Sequence, residues 1–236
     1  MVDNGDIVII PARGGSKRLP RKNLMPCGDL SLLEISIKFA QSLEFVGSII
    51  VSTDCEQTAQ VAQAAGIEVP WLRPPELARD DTPSWKVVLH ALNTRGVDLA
   101  EETSNVIMLQ PTSPFRNKAH IIEARRLLQG NKDADSVVSV APVHHHPGWC
   151  FRVKGDFMSP YDESCAPNLR SQDLEQVYCL NGNFYIANIK QFIESKSFVG
   201  AKTIPFIQTN PLLSLDIDTQ DELNMCNWIM SAMPRI

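Results

Sequence analysis

One rhythm constrains the fold of this chain more than any other feature. Short β-branched runs alternate with longer stretches whose apolar residues recur at helical spacing. "DIVII" (6–10) predicts a buried strand, and "SLLEISIKFAQSL" predicts a helix with Leu32, Leu33, Ile35, Ile37 and Phe39 on one broad face. "SIIVSTD" predicts a second strand, and "CEQTAQVAQAAG" a helix closed by Gly66. "IEVPWLR" predicts a short third strand and "SNVIMLQ" a fourth. "KAHIIEARRLLQG" predicts another helix and "ADSVVSVAPV" a fifth strand. Such alternation implies a mostly parallel sheet, right-handed crossovers and helices on both faces, a three-layer Rossmann-like α/β fold. Ligands then bind beyond the carboxyl ends of the strands, so chemistry is sought just after each strand.

The rhythm breaks between Val143 and about Leu180, where the chain reads as short strands and loops. This stretch is too long for an idle connection and is expected to be an inserted subdomain or oligomer contact. Alternation resumes with a strand at "NGNFYIANI", a helix near 189–195, a strand at "LLSLDID" and the helix "TQDELNMCNWIMSAM". Thr219 and Glu222 have the spacing of a capping box for that last helix. The 236 residues suit one domain over 1–236 with 143–180 inserted in it. A formal net charge of −5 argues against a general nucleic-acid binder, so any bound anion must meet a local positive site. No run approaches a membrane span and the acidic start does not resemble a signal peptide, so a cytoplasmic protein is expected. The six scattered cysteines include no CxxC pair and are expected as reduced thiols.

Three strand ends carry candidate chemistry. "PARGGSKRLPRKN" (11–23) follows the first strand and holds Arg13, Lys17, Arg18, Arg21 and Lys22 around Gly14 and Gly15. Glycines let backbone N–H groups approach an anion, and the cations neutralise it, so a polyphosphate fits. The stretch is neither a Walker A loop nor a GxGxxG fingerprint, and a solvated basic loop is the plain alternative. In "LDID", Asp216 and Asp218 lie two apart on the predicted strand and so share a side. Two such carboxylates suit Mg²⁺ held jointly with phosphates; an exposed strand end leading into a helix cap is the alternative. "LQPTSPFR" offers Gln110, Thr112 and Ser113 as neutral donors and acceptors, though its composition alone fits an ordinary proline turn. His144, His145 and His146 diverge in direction and read as a polar loop or interface, not a metal site.

Together these segments resemble the acylneuraminate cytidylyltransferases, the CMP-sialic acid synthetases. The likeness runs in order through "PARGGSKRLPRKN", "IIVSTD", "LRPPELARDDT", "LQPTSPFR", "APVHHHP", "RSQDL", "NGNFYI" and "SLDIDT". The resemblance implies a nucleotidyltransferase sheet, Mg²⁺ as cofactor, and CTP plus a nine-carbon α-keto acid sugar as substrates. It implies Arg13, Lys22, Asp216 and Asp218 as catalytic, the two aspartates carrying the metal. Ala12, Gly14, Ser16, Asn23, Arg73, Asp81 and Thr82 would join Arg13 and Lys22 around the nucleotide. Gln110, Thr112, Ser113, Gln172, Asn181, Gly182 and Tyr185 would line the sugar pocket. Residues 143–180 would form a dimerisation segment sending Arg170 into the neighbouring subunit's site. Departures beside Arg170, before Asn181 and at "GWC" leave the sugar acid open among sialic, legionaminic and pseudaminic types. Other sugar nucleotidyltransferases, DxD glycosyltransferases and a non-catalytic nucleotide-binding module remain the alternatives.

Overall fold

In strand β1 (Asp6–Pro11), Val8 and Ile10 face one apolar cluster while Ile7 and Ile9 face another. This alternation, with all four side chains buried, places β1 inside a sheet covered on both sides. The computed structural model describes residues 5–96, 104–161 and 170–232. After β1 come the short pair β2 (Pro26–Cys27) and β3 (Leu30–Ser31), helix α1 (Leu32–Gln41), strand β4 (Val46–Ser52) and helix α2 (Glu56–Ala64). Helix α3 (Ser84–Thr94), strand β5 (Asn105–Met108), helix α4 (Lys118–Gly130) and strand β6 (Ser136–Pro142) follow. The hairpin β7 (Phe151–Lys154) and β8 (Phe157–Pro160) precedes β9 (Tyr178–Asn188), α5 (Ile189–Ser195), β10 (Thr203–Ile207) and α6 (Gln220–Ala232).

The main sheet has the order β10-β6-β9-β5-β1-β4. Its neighbours pair in parallel except β9, which runs antiparallel between β5 and β6. Helices α1, α2 and α4 cover one face through Leu33, Ile37, Ala62, Ile121 and Ala124. Helices α3 and α5 cover the other through Val88, Leu92, Ile189 and Phe192. The expected three layers are therefore present. Because β9 is reversed, its first residues lie at the same sheet edge as the last residues of β1, β4 and β5.

Three expectations need correction, and two elements were not foreseen. Residues 67–73 do not pair as a strand: Pro70 and Pro74 remove donors, and Arg73 instead donates its backbone N–H to Thr53 O at 2.6 Å. "LLSLDID" is a 3₁₀ turn (Pro211–Ser214) followed by an unpaired extended segment, because Pro211 opens a turn capped by Asn210. Helix α3 and edge strand β10 were not expected: α3 follows Pro83 with no side-chain N-cap to mark its start, and Pro205 interrupts the apolar run of β10. Finally, Cys27 and Cys226 form a disulfide instead of two reduced thiols. Both are buried in a third cluster with Leu19, Leu32, Ile217 and Leu223, which joins α6 to the basic loop. Of the 143–180 stretch, 162–169 lie outside the described residues; the rest supplies the β7–β8 hairpin and the start of β9.

Candidate active site

The basic loop leaves β1 tethered at both ends. Ala12 is buried and donates to Ser52 O at 2.9 Å. Gly14 N donates to Asp54 Oδ1 at 2.9 Å, and a Cβ on Gly14 would fall 2.6 Å from Cys55 Cβ. Only glycine lets the loop pass that close to the start of α2. Buried Asn23 closes the loop by donating from Nδ2 to Arg13 O at 2.9 Å.

The loop cations meet two acids from distant parts of the chain. Asp80 pairs with Arg13 at 2.7 Å and with Lys17 at 2.6 Å. Asp218 pairs with Lys22 at 2.6 Å and with Arg18. Arg73 lies beneath, buried, donating to Ser52 Oγ at 3.1 Å, to Leu77 O at 3.3 Å and to Ser52 O. Burial lowers its guanidinium to about 10, with the Asp54 charge opposing that fall and the Arg13 charge adding to it. Arg13, Lys22, Asn23, Arg73, Thr82, Gln110 and Thr112 line one cleft of about 240 Å³, together with Asp80, Ser84 and Leu77.

The acidic segment is fixed by two neighbours. Ile217 N donates to Thr112 O at 2.8 Å, fastening it to the turn after β5. Glu222 accepts from Asp218 N at 2.7 Å and from Thr219 N at 2.8 Å, while Glu222 N donates to Thr219 Oγ1 at 3.3 Å. The capping box thus both starts α6 and holds the Asp218 backbone. Surrounding protein raises the Asp216 carboxyl; a Thr112 hydrogen bond draws it down, the Asp218 charge lifts it and Lys22 lowers it. Burial also pushes Asp218 up, but the hydrogen bonds and charges of Lys22 and Arg18 outweigh it and leave the group below its ordinary value.

A second hollow of about 340 Å³ adjoins the first. Gln110, Asn181, Gly182, Tyr185, Ser214 and Asp216 line it, with His144, Cys179 and Leu180 at its rim. Gln110 is a wall of both cavities. Gly182 adopts φ +73°, and a Cβ there would lie 2.9 Å from Gln110 Oε1 and 3.1 Å from Ser113 Oγ. Glycine is therefore required for β9 to approach the turn after β5. Tyr185 is raised by burial and by the Asp216 charge.

The sequence model of the Cytidylyltransferase family matches residues 7–150, spanning the basic loop and the turn after β5. The chain belongs to the cytidylyltransferase family. It is 37% identical over 226 residues to the CMP-N,N'-diacetyllegionaminic acid synthase of Legionella pneumophila, covering 90% of each chain. It is 35% identical over 231 residues to the N-acylneuraminate cytidylyltransferase of Escherichia coli O18:K1:H7, covering 97% of this chain but only 53% of that one. Among solved structures, CMP:2-keto-3-deoxy-manno-octonic acid synthetase complexed with CTP matches with a TM-score of 0.69 at 16% identity. That likeness covers 97% of this chain and 99% of the other and concerns the fold.

In this cytidylyltransferase most of the expected residues line one of the two cavities. Arg13, Lys22, Asn23, Arg73, Thr82, Gln110 and Thr112 share the first cleft; Gln110, Asn181, Gly182, Tyr185 and Asp216 share the second. Asp218 joins them through Lys22. Ala12, Gly14 and Ser113 stand behind these walls as backbone supports, and Ser16 lies on the loop's half-buried side. Asp81 pairs with Arg79 at 3.4 Å and is 76% exposed, outside both linings. Arg170 pairs with Asp173 at 2.8 Å, and Gln172 is exposed; neither lines either of these two cavities.

Sequence reasoning missed several supports. The enclosed Arg116 guanidinium donates to Asn183 O at 3.1 Å, Ser36 Oγ at 3.1 Å and Gln110 O. Burial lowers it to about 9. Asn181 Nδ2 donates to Gln208 Oε1 at 2.7 Å, and Asn183 Nδ2 donates to Phe115 O at 2.7 Å and Leu213 O at 3.0 Å. These bonds seat the 211–214 turn that delivers Asp216. The visible signal was polar residues inside otherwise apolar runs, "NGNFYI" and "PFIQTN".

Among the described residues no cluster of three or more His, Cys, Asp or Glu could cage a metal ion alone. Two coupled carboxylates beside a cationic cleft instead suit a hard cation that takes most of its oxygens from phosphates and water, as Mg²⁺ does. No helix among the described residues is long and apolar enough to cross a membrane.

Proposed function

We propose that the protein couples CTP to a nine-carbon α-keto acid sugar of the sialic, legionaminic or pseudaminic type, giving the CMP-sugar and pyrophosphate. The observation that carries this reading is the shared Gln110 wall. It joins a cation-lined cleft, suited to a triphosphate, to a polar hollow suited to a sugar acid. The names of the Legionella and Escherichia relatives supply the substrate class.

In this reading Arg13 and Lys22 bind the phosphates and stabilise the charge that builds as pyrophosphate leaves. Asn23 and Arg73 hold the loop and the cleft floor in position. Gln110, Thr112, Asn181, Gly182 and Tyr185 shape the sugar hollow and orient the anomeric hydroxyl toward the α-phosphorus. Asp216 and Asp218 would hold Mg²⁺, which supplies charge neutralisation across the triphosphate when bound. Positioning and electrostatics carry most of the rate, since the attacking and leaving groups belong to the substrates.

The β7–β8 hairpin supports a homodimer through 143–180. Val153, Phe157 and Met158 are 77%, 82% and 67% exposed, an apolar cost that a second subunit would relieve. Arg170 lines neither of the two cavities described above, and in this arrangement it would exchange its Asp173 contact for the partner subunit's site. The test is pyrophosphate release with CTP, Mg²⁺ and a panel of sialic, legionaminic and pseudaminic acids. Release with at least one sugar acid is expected; silence across the panel overturns the assignment.

A further inference from the structure

The cation-lined cleft carries its own anion. Asp80 offers one carboxylate oxygen to Arg13 at 2.7 Å and the other to Lys17 at 2.6 Å. One acid spanning two cations is the contact that a phosphate with two free oxygens would make. Arg13 also reaches Ala78 O at 3.5 Å, so the turn after Pro75–Leu77 is clasped to the basic loop across the mouth of the cleft.

The clasp is weak by construction. Asp80 is 44% exposed and Lys17 87%, and exposed ion pairs hold little net free energy. The Lys22–Asp218 pair is different: at 15% and 26% exposure it is shielded, and its acid belongs to the candidate metal pair. A carboxylate carries one negative charge and a triphosphate about four, so the nucleotide competes well for Arg13 and Lys17. Inorganic phosphate and a monophosphate carry less charge than the triphosphate and compete less well than it does.

We propose that Asp80 is an internal competitor for the triphosphate. It occupies Arg13 and Lys17 before nucleotide binds, is displaced by the incoming phosphates, and returns to these cations as pyrophosphate departs. The inference rests on the cytidylyltransferase reading of the cleft and adds a residue that sets its selectivity among anions. It also predicts that the 78–82 turn moves away from the basic loop when nucleotide enters.

Titration calorimetry with CTP and with pyrophosphate, in Mg²⁺, tests this on the wild-type protein, Asp80→Asn and Glu123→Gln. Glu123 pairs with Arg126 on α4 and controls for the loss of one negative charge elsewhere. Asp80→Asn is expected to bind pyrophosphate about three- to tenfold more tightly, the span that freeing two exposed pairs allows. It is also expected to slow pyrophosphate release in stopped flow, with Glu123→Gln matching wild type. If Asp80→Asn binds both ligands as wild type does, or more weakly, the competitor role is overturned while the cytidylyltransferase reading stands. Failure of the wild-type protein to bind either ligand overturns both.

Discussion

At the scale of single residues, the site is two sets of opposite charge brought together by the fold. Lys22 is the residue they share: it touches Asp218 at 2.6 Å and lines the cleft with Arg13. Lys22→Ala is therefore expected to lower kcat/KM by about 100-fold, the usual cost of removing one preorganised electrostatic donor, with little change in Tm. Steady-state kinetics beside thermal unfolding check this. Asp216 gives a pH prediction. Its carboxyl is raised by the surrounding protein, and Thr112 is the hydrogen bond that opposes that rise. The group must be ionised to attract a cation, so activity grows as pH climbs through its raised value and is lost below it. Thr112→Val removes the opposing hydrogen bond and moves this acid limb to higher pH. An unshifted pH–rate profile in that variant would show that Asp216 does not set the limb.

At the scale of elements, each cavity is a meeting of segments that a buried polar side chain holds in place. Arg116 ties the turn after β5 to β9 and α1 through three neutral acceptors, with no ion pair to a carboxylate among the described residues. Truncation to alanine leaves these acceptors unpaired, and a loss on the order of 3 kcal/mol in unfolding free energy is expected. Arg116→Lys keeps one contact and is expected to recover part of it; urea unfolding of both variants measures the difference. This element was half legible in the sequence. Strands β1, β4, β5 and β6 announced themselves by β-branched runs, because burial on both faces demands them. The helix α6 start was legible in Thr219 and Glu222, whose capping box needs only local spacing. The reversed β9 and the edge strand β10 were not, since strand direction and order are decided by tertiary pairing that no local pattern encodes. The "LDID" segment was misread as a strand for a related reason. Its alternation has the right period, but Pro211 and the neighbouring turn leave it no strand to pair with. Its two carboxylates still couple, because Thr112 and Glu222 fix the segment from either side.

At the scale of the whole molecule, the site depends on joining the two ends of the chain. The basic loop lies near the start and the acid pair near the end, 196 residues apart at the Lys22–Asp218 contact. Three things hold them: the apolar cluster of Leu19, Leu32, Ile217 and Leu223; the Asn227 bonds to Gly28 N at 2.8 Å and Pro26 O at 3.1 Å; and the Cys27–Cys226 disulfide. The disulfide spans 199 residues, and closing so long a loop restricts the unfolded chain strongly, by about 5 kcal/mol in the chain-entropy account. Scattered cysteine spacing could not reveal this pairing, because only the packing of α6 against β2 brings the sulfurs together. Dithiothreitol under conditions that open the fold is accordingly expected to lower the Tm of the wild-type protein. The Cys27→Ala/Cys226→Ala variant should start with a lower Tm and show no response to the reductant. Because the apolar cluster and the Asn227 bonds persist in that variant, its folded state should keep the Lys22–Asp218 contact and its activity at 25 °C. A variant that loses stability but keeps turnover would place the disulfide as a restraint on unfolding. Loss of turnover in a still-folded variant would make it a part of how the two charged segments are aligned.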